Sequence, residues 1–164
     1  MRIALAADHR GHHVKERVAI QLAERDHQVL DMGTNSAKSC DYPDLAYPAA
    51  KAVAEGRADC AILVCGSGIG MTICANKVLG IRAALCHDEL TAQMSRRHNN
   101  ANVLCLASDV LGEELIRRIV ASWLETPFDG GGRHERRVRK IGWIEQGKDP
   151  SGYNENNGLA AEKE

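Results

Sequence analysis

Short apolar runs alternate with amphipathic segments along most of the chain. The runs have the length and composition of buried β-strands, and they span residues 3–7, 29–32, 61–64, 81–86 and 103–107. In the segments between them, apolar residues recur every three or four positions, which is typical of helices that cover one face of a sheet. Strands that alternate with helices pair in parallel, so the pattern predicts an α/β fold with a five-stranded, mostly parallel sheet.

Apolar stripes and turn signals give the expected limits of the helices. We expect helices at residues 14–22, 43–55, 71–78, 89–97, 115–123 and 133–145. Pro43 suits a first helical position, and Asp88 suits an N-cap. Residues 98–102 are expected to form a polar turn, and the three glycines at 130–132 a flexible hinge.

Length and composition indicate one ordinary globular domain with a polar end. The domain is expected over residues 1–146, and the polar tail at 147–164 is expected to be disordered. The net charge is −1, which argues against nucleic acid as a partner. No apolar run approaches the ~20 residues of a membrane span. The six cysteines lack the Cys-x-x-Cys spacing of zinc or redox sites, so we expect them reduced, in a cytoplasmic protein.

The stretch from Cys65 to Gly70 reads Cys-Gly-Ser-Gly-Ile-Gly and lies between the third strand and a helix. Alternating glycines allow several backbone N–H groups to point into one small space. The N-terminus of the following helix adds partial positive charge there, and the Cys65 thiol enters from the end of the strand. The stretch therefore offers a nucleophile or base beside donors that favour an oxyanion.

Three well-known glycine-rich loops do not fit this spacing. A dinucleotide-binding fingerprint needs a third glycine where Met71 stands, and a P-loop needs a terminal Gly-Lys-Ser/Thr. A cysteine phosphatase loop needs an arginine at the position of Met71. A plainer alternative stays open at this point, because a buried cysteine at a strand end is often only a small apolar residue.

In open parallel sheets, ligands bind beyond the carboxyl ends of the strands. That edge is expected to collect Asp8 and His9, the loop at 65–70, and the polar residues 87–88. His98 precedes the fifth strand and therefore lies at the opposite end of the sheet. Either His98 is structural, or it serves the pocket of a neighbouring subunit.

Six short motifs occur in an order that points to one family. They are Asp8-His9-Arg10-Gly11, Asp41-Tyr42-Pro43, Cys65 to Gly70, Ala75-Asn76-Lys77, Arg96-Arg97-His98-Asn99 and Gly132-Arg133-His134-x-x-Arg137-Val138. Together they closely resemble ribose-5-phosphate isomerase type B, of the family shared with galactose-6-phosphate isomerase subunits. The resemblance covers about residues 1–145.

The resemblance implies a three-layer α/β/α sandwich around a five-stranded parallel sheet, of the Rossmann-like kind. It implies a small-molecule sugar phosphate as ligand and interconversion of an aldose phosphate and a ketose phosphate, with no metal and no other cofactor. It further implies a homodimer with shared active sites, with a tetramer built from dimers as the alternative. A shared site would account for the position of His98.

The resemblance also implies roles for individual residues. Cys65, His98 and Ser67 would be catalytic, with Cys65 moving a proton between C1 and C2 and His98 opening the sugar ring. The expected substrate contacts are Asp8, His9, Tyr42, Gly66, Gly68, Gly70 and Asn99, and the expected phosphate site is His9, Arg133 and Arg137.

Each of these side chains also has a plainer interpretation. Asp8 suits the N-cap of the first helix, and Tyr42 before Pro43 suits a loop packing residue. A lone histidine is more often a surface residue, and Arg133 and Arg137 lie four apart, as on a solvated helix face. The sequence combines all of them in one ordered pattern, which favours the functional interpretation.

Two positions depart from the family pattern. Many members have an arginine that contacts the phosphate end after the fifth strand, and here that position is Asp109. An inward-pointing acid there would repel phosphate. In addition, three glycines stand at 130–132 where a pair is usual, which bears on how Arg133 enters the pocket.

Isomerisation of ribose 5-phosphate to ribulose 5-phosphate through an enediolate is the leading expectation. A six-carbon substrate, allose or galactose 6-phosphate, is the nearest alternative. A non-catalytic sugar-phosphate binding protein is the alternative from another class. Cys65, Ser67 and His98 argue against it, because binding alone needs no thiol base.

Overall fold

The computed structural model describes residues 1–154 and contains one parallel five-stranded sheet. The strands are β1 Arg2–Ala7, β2 Gln28–Asp31, β3 Cys60–Cys65, β4 Ala83–Leu85 and β5 Val103–Ala107. Their order across the sheet is β2-β1-β3-β5-β4. The three central strands are almost wholly apolar and buried, as the runs of apolar residues predict. The predicted parallel α/β fold is confirmed.

Helices cover both faces of the sheet. They are α1 His12–Ala23, α2 Pro43–Ala54, α3 Ile69–Ala75, α4 Glu89–Asn99, α5 Glu113–Glu125 and α6 Gly132–Glu145. Successive residues of a strand point to opposite faces, so the sheet contributes to two separate cores. One core joins alternate strand residues to α1 and α5, with Trp123 as its largest side chain. The other joins the remaining strand residues to α2 and α3. These are the three layers that the resemblance implies.

The core on the α2 side is built largely from alanine. Ala4 and Ala6 of β1 face Ala46, Ala49 and Ala50 of α2, and all five are fully buried. Methyl side chains on both surfaces allow the helix to approach the sheet closely. This close approach fixes where the first residues of α2 lie relative to the ends of the strands.

The strand register brings the turns after β1, β3 and β5 to one edge. Ala7 pairs with Val64, and Cys65 pairs with Ala107. The ladder continues past the strand ends, since Ser108 N–H donates to the Cys65 carbonyl at 2.9 Å. Residues 8–11, 65–70 and 108–109 therefore form one continuous edge, which we call the carboxyl edge.

Several boundaries differ from the expected ones. The helix after the glycine loop begins at Ile69 rather than Met71, because Gly68 is its N-cap, with φ +74°. The fourth strand is shorter than expected, at Ala83–Leu85. Asp88 caps α4 as predicted, through a hydrogen bond from Thr91 N–H to its carboxylate.

The expected polar turn at 98–102 is wrong in its first two residues. His98 and Asn99 belong to the last turn of α4, and the helix ends at Asn100, whose φ is +47°. Asparagine tolerates this left-handed conformation better than most residues, so it serves as the helix terminator. His98 therefore projects from a helix end rather than from a loop.

Part of the expected disordered tail has defined structure. Residues Pro150–Gly152 form a short 3-10 helix, and Tyr153 is buried against Trp143 of α6, edge to face, with ring centroids 5.0 Å apart. The prediction of disorder at 155–164 lies outside the described residues. Within residues 1–154, none of the helices has the length and apolar character needed to cross a membrane.

Candidate active site

The glycine loop places a backbone donor on the Cys65 sulfur. Gly68 N–H lies 3.1 Å from Cys65 Sγ and donates to it. A hydrogen-bond donor on a sulfur stabilises negative charge there. The left-handed conformation of Gly68 permits this turn, and a Cβ at that position would lie 2.4 Å from Leu85 Cδ1. The loop therefore requires glycine at this position on two independent grounds.

Three other cysteines provide a contrast with Cys65. Burial raises the pKa of Cys60 and of Cys86 to about 11, and the pKa of Cys105 to about 12. At neutral pH these three side chains are neutral thiols within the apolar core. Cys65 is also buried and packs in the alanine-rich core, but its sulfur faces the loop amides.

Ser67 lies on the outer side of the same loop. Its side chain is exposed, and its Oγ accepts a hydrogen bond from Ile69 N–H at 3.3 Å. Ser67 thus binds the first amide of α3 and stays open to solvent. Its predicted catalytic role remains a prediction.

Asp8 shapes the turn after β1. Its Oδ1 accepts hydrogen bonds from Arg10 N–H at 2.9 Å and from Gly11 N–H at 3.0 Å. The N-cap of α1 is Gly11, so the interpretation of Asp8 as that cap is wrong. The buried carboxylate instead closes a tight turn, which holds His9 at the carboxyl edge. His9 Nδ1 in turn accepts from Cys40 N–H at 3.4 Å, across the loop before α2.

Tyr42 lies against the end of the glycine loop. A Cβ on Gly70 would fall 2.7 to 2.9 Å from three atoms of the Tyr42 ring, so the ring lies directly on this glycine. The side chain is 40% exposed, which leaves one part of the ring open. The structure thus brings Tyr42 to the loop, and its role as a substrate contact remains a prediction.

Asp109 forms an ion pair with Arg10. Arg10 Nε donates to Asp109 Oδ2 at 2.6 Å, and the charge and hydrogen bond of Asp109 raise the pKa of Arg10. A Cβ on Gly66 would meet both side chains, at 2.6 Å and 3.0 Å, so the pair lies over the first glycine of the loop. The acid expected to repel phosphate is therefore paired. Our sequence reasoning missed Arg10, although its opposite charge in a neighbouring turn was a signal.

A second group of predicted residues gathers between α4 and α6. The His98 and His134 rings stack, with centroids 4.2 Å apart and an angle of 6° between the planes. Arg133 and Arg137 flank His134, and the pKa of His134 is lowered by partial desolvation and by the charges of His98 and the two arginines. Sequence reasoning also missed His134, although it lies between the two arginines in the quoted motif. We call these four residues the α4–α6 cluster.

An ion pair joins α4 to the segment that leads into α6. Arg97 Nε donates to Asp129 Oδ2 at 3.0 Å, and Asp129 N–H donates to the Arg97 carbonyl at 2.9 Å. Asn99 lies one residue beyond His98, and its backbone carbonyl accepts from Arg82 Nε at 3.1 Å. The glycines at 130–132 follow directly, and Gly132 is already the first residue of α6.

Within residues 1–154, no hydrogen bond or ion pair joins the α4–α6 cluster to the carboxyl edge. Val103, which follows α4 closely, pairs with Ala61, whereas Cys65 pairs with Ala107. Four residues of strand separate those two pairs, which corresponds to about 13 Å along the sheet. A single chain thus holds two incomplete sets of the predicted site residues.

One group of possible metal ligands occurs in the described part of the chain. It consists of His12, His13 and Glu16 on the first turns of α1, where each histidine lies 3.5 to 3.6 Å from the Glu16 carboxylate. None of these residues belongs to the predicted site. The glycine loop of the carboxyl edge presents backbone amides and one thiol, which suit an anion rather than a cation.

These features define an α/β protein with a thiol and a glycine-rich loop at the carboxyl edge of its sheet. The family model described as Ribose/Galactose Isomerase matches residues 3–141. The chain belongs to this family, and it is an isomerase.

Two relatives and one solved structure match this chain over almost their whole length. Ribose-5-phosphate isomerase B of Escherichia coli (strain K12) is 46% identical, over 88% of this chain and 97% of its own. D-erythrulose-4-phosphate isomerase of Pectobacterium atrosepticum is 42% identical, over 87% and 94%. The structure of ribose-5-phosphate isomerase B from Mycoplasma genitalium with bound ribulose-5-phosphate has a TM-score of 0.85 at 40% identity, and the match covers 88% of this chain and 96% of that one.

Proposed function

We propose that this protein interconverts ribose 5-phosphate and ribulose 5-phosphate through an enediolate, with Cys65 as the base. The observation that carries the proposal is the hydrogen bond from Gly68 N–H to Cys65 Sγ, inside a loop of glycine amides. The names of the Escherichia coli and Mycoplasma genitalium relatives support the substrate.

The proposed chemistry uses one base and one set of donors. The Cys65 thiolate removes the proton from C2 of the open-chain aldose, and the C–H electrons form the C1–C2 double bond of an enediolate as charge moves to O1. The proton of the C2 hydroxyl passes to O1, and the thiol then returns its own proton to C1 as the C2 carbonyl forms. We assign the developing oxyanion to the amides of the 66–70 loop other than those of Gly68 and Ile69, which donate to Cys65 Sγ and Ser67 Oγ. Donors of this kind are worth about 3 kcal/mol each in the transition state.

Ring opening requires a second acid–base group, and we assign it to His98. The strand after His98 begins at Val103, which lies about 13 Å along the sheet from the level of Cys65, so a hydrogen bond between His98 and a ligand at Cys65 is not expected within one subunit. We therefore propose a homodimer in which each subunit gives its α4–α6 cluster to the carboxyl edge of the other. A two-fold axis makes the two sites equivalent.

In the proposed dimer, the remaining predicted residues come from both subunits of each site. Asp8, His9 and Tyr42 would contribute from the carboxyl edge, which is supported by the contact of the Tyr42 ring with Gly70 and by the turn that Asp8 closes after β1. Asn99 and the two arginines contribute from the partner. Arg133 and Arg137 lie four apart on α6, so both can face one phosphate.

A coupled assay over four-, five- and six-carbon aldose phosphates tests the proposal. The four-carbon member is included because of the Pectobacterium relative, and allose and galactose 6-phosphates represent the six-carbon alternative. We expect the highest kcat/KM with ribose 5-phosphate. A higher kcat/KM with a four- or six-carbon sugar phosphate would contradict ribose 5-phosphate as the substrate. Binding without turnover of any member would favour the non-catalytic alternative.

A further inference from the structure

The Arg10–Asp109 ion pair occupies the rim of the carboxyl edge. It lies over Gly66, the first glycine of the loop, and its two partners come from the turns after β1 and β5. Both side chains are substantially exposed, at 58% and 40%. The pair is therefore both next to the loop amides and open to an incoming ligand.

Only one side of the Arg10 guanidinium is occupied. Asp109 takes the Nε hydrogen, and the structure of residues 1–154 gives the terminal Nη groups no acceptor. A guanidinium is a flat fork whose donors match the oxygens of a phosphate. An Nε bond to one carboxylate thus orients the fork and leaves its terminal donors for an anion.

The backbone of Arg10 is attached to the catalytic loop. Its N–H donates to Asp8 Oδ1 at 2.9 Å, and its carbonyl accepts from Ser108 Oγ at 3.2 Å. The same Ser108 Oγ lies 3.1 Å from the Cys65 carbonyl, so its single hydroxyl hydrogen is shared between the two carbonyls. The Arg10 backbone consequently has a fixed position relative to Cys65, and the Nε bond to Asp109 holds the side chain over Gly66.

We propose that Arg10 is a specificity-determining residue that binds the phosphate end of the substrate, and that Asp109 is its positioning residue. The inference rests on the proposed function, because it takes the ligand to be a sugar phosphate. Arg10 follows His9 directly, so the turn after β1 supplies two adjacent groups for one phosphate. Asp109 orients Arg10 and offsets part of its charge, which weakens phosphate binding relative to an unpaired arginine in the same place.

The structure offers a matched control pair. Arg2 and Asp59 form an exposed ion pair of 2.7 Å with similar side-chain exposure, 45% and 41%, but Arg2 stands at the start of β1, away from the carboxyl edge. Exposed ion pairs contribute little to stability, so loss of either pair should leave the fold intact.

The experiment compares Arg10→Ala with Arg2→Ala. Loss of a charge-assisted hydrogen bond to phosphate should raise KM for ribose 5-phosphate about 10- to 100-fold in Arg10→Ala, with a smaller change in kcat. Competitive inhibition by inorganic phosphate should weaken by a similar factor. Arg2→Ala should change neither. Equal KM values in the two variants, at equal melting temperatures, would overturn the role of Arg10.

Two Asp109 variants test the positioning role. Asp109→Asn keeps an oxygen that accepts from Arg10 Nε and removes the charge, so its KM should equal or fall below the wild-type value. Asp109→Ala removes the acceptor, so its KM should rise. A rise of the same size in both variants would contradict positioning through Nε.

Calorimetry with inorganic phosphate separates failure of this inference from failure of the proposed function. If the wild-type protein turns over no sugar phosphate but binds phosphate more tightly than Arg10→Ala, the function is wrong and the anion site is right. If turnover is normal and phosphate affinity is the same in both, the function is right and the inference is wrong.

Discussion

The carboxyl edge and the α4–α6 cluster differ in how they are built. The carboxyl edge is made of strand ends and backbone amides, and hydrogen bonds between neighbouring turns hold it in place. The cluster is made of side chains on two helix ends, held by ring stacking and one ion pair. In the proposed function, the first region would supply the base and the oxyanion donors, and the second would supply an acid–base group and cations. Ring opening followed by isomerisation would need both.

The largest expected effect is on the carboxyl edge. Cys65→Ala should lower kcat about 10³-fold, because a positioned base contributes on this scale. Folding and substrate binding should change little. Cys74→Ala is the control, since Cys74 is a partly buried cysteine on the same side of the sheet. Steady-state kinetics and calorimetry with ribose 5-phosphate measure both quantities, and near-normal turnover in Cys65→Ala would contradict the assignment.

Mixing two inactive variants tests whether the two regions meet across subunits. Cys65→Ala chains keep the cluster intact, and His98→Asn chains keep the carboxyl edge intact. After verified subunit exchange, half of the dimers are mixed and each has one complete site, so activity should recover to about a quarter of wild type. Full activity in a monomer, or no recovery after exchange, would contradict a shared site.

A smaller and more selective effect is expected from the cluster alone. His98→Asn should slow turnover of cyclic ribose 5-phosphate about 100-fold, because ring opening needs acid–base catalysis. An open-chain aldose such as erythrose 4-phosphate needs no ring opening, so its turnover should fall much less. The ratio of kcat/KM values for the two substrates is the measurement. Equal losses on both would assign His98 another role.

The smallest effect concerns the stacked rings. The pKa of His134 lies below its ordinary value of 6.5, mainly through desolvation, with the charges of His98, Arg133 and Arg137 lowering it and Asp129 raising it. The unfolded chain therefore binds a proton more tightly, and stability falls as pH drops through 6.5 and continues to fall until the folded pKa is passed.

His134→Phe keeps a stacked ring and removes this titration. Its free energy of unfolding should fall less between pH 8 and pH 5.5 than that of the wild-type protein. Denaturant titration at the two pH values measures the difference, with His13→Phe as control, since His13 lies on α1 outside the cluster. If the free energy of unfolding of His134→Phe depends on pH as it does in the wild-type protein, the surroundings of His134 do not oppose its protonation.

The sequence predicted those parts of the fold and of the candidate site that depend on residues close together in the chain. Apolar runs located the strands, and the rule for parallel sheets placed the 65–70 loop and Asp8 on one edge. The alternation of glycines after Cys65 predicted convergent amides without any knowledge of the tertiary structure. These features follow from periodicity and from the conformational freedom of glycine, which are visible in short windows.

The missed features depend on contacts between distant parts of the chain. Arg10 and Asp109 lie 99 positions apart, and the stack of His98 on His134 depends on how α6 packs on α4. No short stretch of sequence predicts either contact, because each forms only when turns or helices from separate parts of the chain pack together. Tyr153 similarly belongs to a stretch that is polar in sequence. Only the folded structure shows that its ring packs against Trp143 of α6.

The alanine-rich layer between β1 and α2 acts as a spacer of fixed thickness. Tyr42 is the N-cap of α2, and its ring lies on Gly70, so the height of the helix above the sheet sets the height of the ring above the glycine loop. Enlarging Ala46 or Ala50 to valine would lift α2 by the width of the added methyl groups. A substitution deep in the interior would thereby move the Tyr42 ring away from the glycine loop, although neither alanine is a predicted site residue.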